Sequence, residues 1–208
     1  MQVLVIGTGN MGAGFVKQLT AAGHQVTVTA RDAGKAQALA QQHGAKAVAL
    51  ANSANNVDAI VVATPYEQAA AALNSAGDVA GKVVIDITNP LTADYMGLTV
   101  GHSTSAAEEI ARATGAEVVK AFNTIFAQGL AEGADLGKGQ KATVFIASDS
   151  ERAKQIARAL AESMGFQVMD AGGLKNARYL EPLAGLNIYL GYGAGLGTTI
   201  APAWIGTN

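Results

Sequence analysis

Gln2-Val3-Leu4-Val5-Ile6-Gly7-Thr8-Gly9-Asn10-Met11-Gly12 is the stretch whose reading decides the fold. After Gln2, the run Val3-Leu4-Val5-Ile6, aliphatic and rich in β-branched side chains, suits a buried strand. The six that follow spell G-x-G-x-x-G. That pattern alone is common, but directly after a strand and opening a helix it is the phosphate-binding turn of a βαβ unit. Helical spacing takes over at once: Met11, Phe15, Leu19 and Ala22 fall on one face, and Gly23 ends the run. In such a turn Gly7 makes the tight bend, Gly9 lets the backbone approach a pyrophosphate, and Gly12 lets the helix pack close to the strand. The free N–H groups and positive end of the helix then meet the phosphates.

Outward from this unit, short β-branched runs alternate with longer Ala-rich segments of helical spacing. Strands are expected near Gln2–Ile6, Gln25–Thr29, Lys46–Leu50, Ala59–Ala63, Lys82–Ile87, Glu117–Ala121, Thr143–Ala147 and Gln167–Asp170. The alternation predicts an α/β fold: a Rossmann-type, doubly wound, mostly parallel sheet over residues 1–172, in one piece. Ser105 with Glu108, and Ser148 with Glu151, fit the capping box of a helix start. Beyond Gly172-Gly173 the pattern becomes a single glycine-rich, apolar, helical segment from about Asn176 to Gly197. Residues 173–208 are therefore expected to be a short C-terminal helical extension that covers the site, forms a dimer contact, or both.

Composition narrows the function. Of the 208 residues, 50% are hydrophobic and 14% charged, so the chain can bury a core and is not generally disordered. A net charge of −2 provides no field to gather nucleic acid or anionic lipid, and neither is expected as a partner. The absence of cysteine excludes thiolate catalysis, disulfides and the usual zinc modules. No metal site is expected, and a reducing cytoplasm fits. No charged residue follows Glu181, yet the glycines, Asn187 and Pro202 in that stretch favour a buried helix over a membrane span.

An NAD-specific fold would place an acidic residue about twenty positions past the glycine turn, at the end of the second strand, to hold the ribose 2′-hydroxyl. Ala30 stands there, followed by Arg31 and, four residues on, Lys35. Two cations early in a helix are disfavoured by its dipole, which points to an anionic partner, the 2′-phosphate of NADP. Asp32 would restore an NAD-type contact if the strand ran one or two residues longer. Thr64-Pro65, Asn89-Pro90 and Asn123-Thr124 each follow a strand and should border the crevice at the carboxyl edge of the sheet. His24 and His43 read as surface residues. His102 is better placed for proton work but stands alone. The lack of an acid–base constellation suits hydride transfer, where cofactor and acceptor carry the chemistry. Gly191, Gly193, Gly195 and Gly197 would offer flat surfaces where a helix or a planar ring can reach the backbone.

Taken together, Gly7–Gly12, Arg31, Asn89-Pro90-Leu91, Lys120-Ala121-Phe122-Asn123-Thr124, Asp170-Ala171-Gly172 and Glu181-Pro182-Leu183 resemble the NADPH-dependent deazaflavin-coenzyme reductases and their bacterial relatives. The set is also similar to the cytosolic NADPH-oxidising domain of the six-transmembrane metalloreductases. The resemblance implies an NADP(H)-dependent oxidoreductase. In it Thr8, Asn10 and Met11 join the glycines around the pyrophosphate, Arg31 and Lys35 hold the 2′-phosphate, and Thr64 and Pro65 flank the nicotinamide. Asn89 belongs to the cofactor-binding set, while Asn123, Thr124 and His102 are candidates for the acceptor site. Asn123 stands where archaeal members carry a histidine, which leaves the planar acceptor open among deazaflavin, flavin and quinone. The competing expectation is a non-catalytic NADP-binding sensor or partner subunit. β-Hydroxyacid dehydrogenases share the opening turn, but too little chain follows Gly172 for their helical domain. A homodimer through Leu183, Leu186 and Leu190 is expected.

Overall fold

The computed structural model describes residues 1–205, so the last three residues of the expected extension, 206–208, lie outside the described residues. Six parallel strands form the central sheet: β1 (Gln2–Ile6), β2 (Gln25–Thr29), β3 (Lys46–Ala47), β4 (Ala59–Val62), β5 (Val83–Asp86) and β6 (Glu117–Lys120). Their order is β3-β2-β1-β4-β5-β6. Strand order therefore reverses between β1 and β4, and a crevice opens at the carboxyl ends. The helices are α1 (Asn10–Ala21), α2 (Ala33–His43), α3 (Tyr66–Ser75), α4 (Ala106–Thr114), α5 (Ala127–Glu132), α6 (Glu151–Ser163) and α7 (Ala177–Ile188). Successive strand residues serve opposite cores: Val3, Val5, Val61 and Ile85 pack against α1 and α6, while Leu4, Ile6, Ile60, Val62 and Val84 pack against α3 and α4. With both faces covered, the inner strands are apolar throughout, which is why they read as runs rather than alternations.

Four features depart from the expectation. The sheet is not one continuous piece: β9 (Thr143–Ile146) and β10 (Gln167–Asp170) form a separate parallel pair. It is tied to the end of β6 by a single antiparallel bridge, Lys120 to Ala147. A small antiparallel hairpin, β7 (Asp135–Gly137) with β8 (Gln140–Lys141), is new. Its strands are polar and carry no hydrophobic period to reveal them. The cap of α6 is Ser150, whose side chain accepts from the Ala153 N–H, and not Ser148. Ser148 is buried, and its hydroxyl donates to the Val118 carbonyl at 2.7 Å. Finally, the C-terminal helix stops at Ile188 and passes into a π-helical turn, Tyr189–Gly193. Gly195 and Gly197, at φ +73° and +83°, lie outside it.

Candidate functional site

The glycine turn splits into two kinds of position. Gly7 has φ +123°, and a Cβ there would stand 2.3 Å from the Ala63 carbonyl oxygen. A Cβ on Gly12 would stand 2.1 Å from the Gly7 carbonyl oxygen. The turn itself requires both. Gly9, with φ −69° and ψ −179°, has ordinary extended backbone, and a Cβ there would meet nothing within 4 Å. The space over Gly9 is open to a ligand. Gly9 also caps α1 with no side-chain hydrogen bond, whereas Asp32, Ser105 and Ser150 cap α2, α4 and α6. The first-turn N–H groups of α1 are thus left for another acceptor.

On one side of the turn lies a cavity of about 540 Å³, lined by Gly7, Thr8, Gly9, Arg31, Asp32, Lys35, Thr64, Pro65 and Glu67. β2 ends at Thr29, as the spacing predicted, so Arg31 lines this space from the turn before α2 and Lys35 from its first turn. Asp32 is engaged as the α2 cap, accepting from the Lys35 N–H at 3.1 Å. The Thr64 hydroxyl is buried without a partner among the described residues. Thr64 and Pro65 therefore share a space with the two cations rather than with Asn123 and Thr124.

On the other side, a second cavity of about 600 Å³ is lined by Met11, Asn89, Asn123, Thr124, Phe126, Asn187, Tyr189 and Tyr192, with Tyr95 and Met96 from the loop after β5. Gly191 has a local reason here, since a Cβ on it would stand 2.5 Å from Phe126 Cζ. The planar ring that reaches this helix backbone belongs to the chain itself. Phe126 in turn meets Tyr192 edge to face, with ring centres 5.7 Å apart.

Behind this cavity sits a buried ionic cluster that sequence reasoning did not assign a role. Lys120 Nζ, fully enclosed, lies 2.6 Å from Asp86 and 2.9 Å from Glu181, and donates to the Thr88 carbonyl at 2.8 Å. Asp86 and Lys120 are partners in register at the ends of β5 and β6. A charged residue closing each of two adjacent apolar strands was the available signal. The Glu181 carboxylate also accepts the Ala106 and Ala107 N–H groups at the start of α4. Burial pushes its carboxyl above the ordinary carboxylate range, against the pull of Lys120. Asn187 donates to the Thr124 carbonyl at 3.0 Å, so α7 is pinned to the sheet by polar contacts at both ends of the cavity wall.

The structure brings Gly7, Thr8, Gly9, Arg31, Lys35, Thr64 and Pro65 together on one side, and Met11, Asn89, Asn123 and Thr124 on the other. Asn10 faces a shallower hollow with Lys17 and His43. His102 lines a further hollow with Leu91, Arg178 and Pro182 and does not join Asn123 and Thr124. His24 is bonded to Ser163 at 2.9 Å. Among the described residues no group of three or more acidic or histidine side chains is placed to hold a metal. None of the described helices is long and apolar enough to cross a membrane.

A glycine turn open over Gly9, on a parallel sheet whose order reverses beside it, defines a Rossmann-type dinucleotide-binding protein. Residues 2–90 match the family model described as NADP oxidoreductase, coenzyme F420-dependent. The F420-dependent NADP reductase of Methanothermobacter marburgensis is 34% identical over 209 residues, spanning 91% of this chain and 92% of that protein. The chain belongs to this family, as its motifs implied. A crystal structure from Arthrobacter sp. FB24, provisionally named an F420-dependent NADP-reductase, superimposes with a TM-score of 0.84 at 30% identity, covering 95% of this chain and 96% of that one. Metalloreductase STEAP3 of Rattus norvegicus is 30% identical over 187 residues, which make up 88% of this chain but 36% of that protein.

Proposed function

We propose that this chain is an NADP(H)-dependent oxidoreductase that moves hydride between the nicotinamide and a planar acceptor of the deazaflavin or flavin kind. The carrying observation is the 600 Å³ cavity beside the glycine turn, open to a planar molecule and walled by Asn89, Asn123, Thr124 and the rings of Phe126, Tyr189 and Tyr192. A sensor would have that face sealed by the C-terminal helix. The residues fit the cofactor: free space over Gly9, uncapped N–H groups on α1, and two cations where a 2′-phosphate would sit. Arg31 and Lys35 would hold that phosphate, Gly7–Gly12 the pyrophosphate, and Asn89, Asn123 and Thr124 the nicotinamide end. When bound, NADPH supplies the hydride. The chain contributes orientation and a largely apolar wall that keeps water out. In this reading the C-terminal extension covers the site, with α7 and its π-helical turn walling the larger cavity.

The same reading places the protein in a reducing cytoplasm, in keeping with a chain free of cysteine. It also makes it a homodimer. Leu186 is 55% exposed on α7, and Tyr179 and Trp204 extend that apolar face, while Leu183 and Leu190 are half-buried beside it. Light scattering of the purified protein tests the assembly: twice the chain mass is expected, and Leu186→Glu should return it to one. The activity is tested by following loss of reduced nicotinamide with a deazaflavin, FMN, FAD and a quinone in parallel, and NADH as control donor. Turnover with NADPH and one of the isoalloxazine-like acceptors is expected. Tight NADPH binding without turnover on any acceptor would favour the sensor.

A further inference from the structure

Asn123 stands in the wall of the larger cavity with its amide orientation fixed by its neighbours. Its Nδ2 donates to the Leu180 carbonyl at 2.8 Å and to Asn89 Oδ1 at 3.0 Å. Asn89 is held in the same way, its Nδ2 donating to the Asn123 backbone carbonyl at 2.9 Å. Backbone carbonyls only accept, so neither amide can be turned over without losing a bond. Lys120 stiffens both anchors, because it binds the Thr88 carbonyl and Glu181, the residues next to Asn89 and Leu180. This leaves Asn123 Oδ1 as a pure acceptor with no partner among the described residues, on a side chain 5% exposed. The hydroxyl of Thr124, 2% exposed, is unpartnered as well. Buried polar atoms are nearly always paired, and two adjacent exceptions in one cavity wall call for a ligand that pairs them.

We propose that Asn123 is a specificity-determining residue: its Oδ1 receives an amide N–H of the molecule bound in this cavity, while the Thr124 hydroxyl donates to the carbonyl of the same amide. An amide offers a donor and an acceptor side by side, which is the complement of what the wall presents. The inference rests on the NADP-dependent reading above, under which two molecules bring such a group: the carboxamide of nicotinamide and the ring lactam of a flavin or deazaflavin.

Analogues separate the two sources. Calorimetry compares NADP⁺ with its 3-acetylpyridine analogue, which replaces the carboxamide NH₂ by a methyl group, and with 2′,5′-ADP, which lacks the nicotinamide altogether. Fluorescence titration in the presence of NADP⁺ compares riboflavin with its N3-methyl derivative. One analogue is expected to bind about tenfold more weakly than its parent, the ratio that one lost hydrogen bond in a buried wall produces. That preference should vanish in Asn123→Leu, which keeps the bulk and removes the amide. Loss in the acetylpyridine arm identifies the carboxamide, and loss in the methylflavin arm identifies the ring. The wild-type comparison stands by itself should Asn123→Leu not fold. If 2′,5′-ADP binds and neither analogue is discriminated against, the proposal is overturned and the NADP reading stands. Failure of 2′,5′-ADP and NADP⁺ to bind at all would overturn both.

Discussion

Single residues in the glycine turn separate stability from binding. Gly7→Ala places a Cβ 2.3 Å from a backbone oxygen at φ +123°, so it should cost about 1–3 kcal/mol or more in urea unfolding of the free protein. Gly9→Ser should do the reverse. Position 9 is an N-cap in extended conformation with open space around it, where Ser is at least as good as Gly, so the free protein keeps its stability or gains a few tenths of a kcal/mol. Calorimetry on the same variant should show weakened NADP⁺ binding, because the new side chain enters the open space proposed for the phosphates. Arg31→Ala should cost NADPH about 1–3 kcal/mol of binding and leave NADH nearly unchanged. Equal loss for both nucleotides would contradict its role. The glycines and cations of this half of the candidate site could be named from the sequence because a turn of this kind is local: they lie within thirty residues, and chain order brings them to the edge of one cavity. The other half was legible only as three loops at the carboxyl edge. That Asn89 and Asn123 would bond to each other, and that His102 would stand apart from them, depends on how loops far apart in sequence cross, which no spacing encodes.

At the scale of elements, α7 buries Ala177, Leu180 and Ala184 and is further tied by polar side chains. Arg178 forks onto Glu108 of α4 at 2.9 and 2.7 Å, tying the outer end of the roof to the start of α4. The Arg178 contact holds the Glu108 carboxyl below its ordinary 4.5, helped by the Ser105 hydroxyl. A carboxyl depressed in the folded state adds stability that is present above its unfolded value and lost as pH falls through the lower, folded one. Arg178→Gln should therefore be less stable than wild type above pH 4.5, and the two should converge in more acidic buffer. Urea midpoints taken across that range check it; a constant gap would mean that the fork's charge is irrelevant. Element boundaries show where sequence patterns carry information. A strand forms at each of the eight expected places, but the third, expected over Lys46–Leu50, is only Lys46–Ala47; the buried apolar runs β1, β4, β5 and β9 carried the clearest signal, while β3 and β10 are largely exposed strands held by pairing to one neighbour. The hairpin at Asp135–Lys141 escaped because it buries almost nothing. The expected cap of α6, Ser148, is taken up by the Val118 carbonyl, and Ser150 caps the helix instead. Such competition between backbone partners is decided in three dimensions.

For the whole molecule, the two cavities lie on one edge of a single sheet, yet different bodies line them. The smaller is built from the glycine turn and the starts of α2 and α3, and the larger from the loops after β5 and β6, α7 and its π-helical turn. Only Met11, in the first turn of α1, reaches from the glycine turn into the larger one. A full dinucleotide would thus add a brace between parts joined through the sheet, through the packing of α1 on α5, where Lys17 and Gln18 donate to the Ala131 carbonyl, and through the Tyr66 hydroxyl on Glu109 of α4. Ligands that bind only the folded state protect the amides whose opening would release them. Hydrogen exchange at equal saturation should therefore distinguish two ligands that share a phosphate end. 2′,5′-ADP should slow exchange at residues 7–14 and 31–36 and leave α7 as it was. NADP⁺ should add protection at residues 88–91, 121–126 and 184–193. Protection of α7 by 2′,5′-ADP alone would mean that the roof closes on occupancy of the phosphate end, so that the two cavities act as one cooperative site. Protection by NADP⁺ confined to residues 7–36 would mean that the nicotinamide does not enter the larger cavity at all.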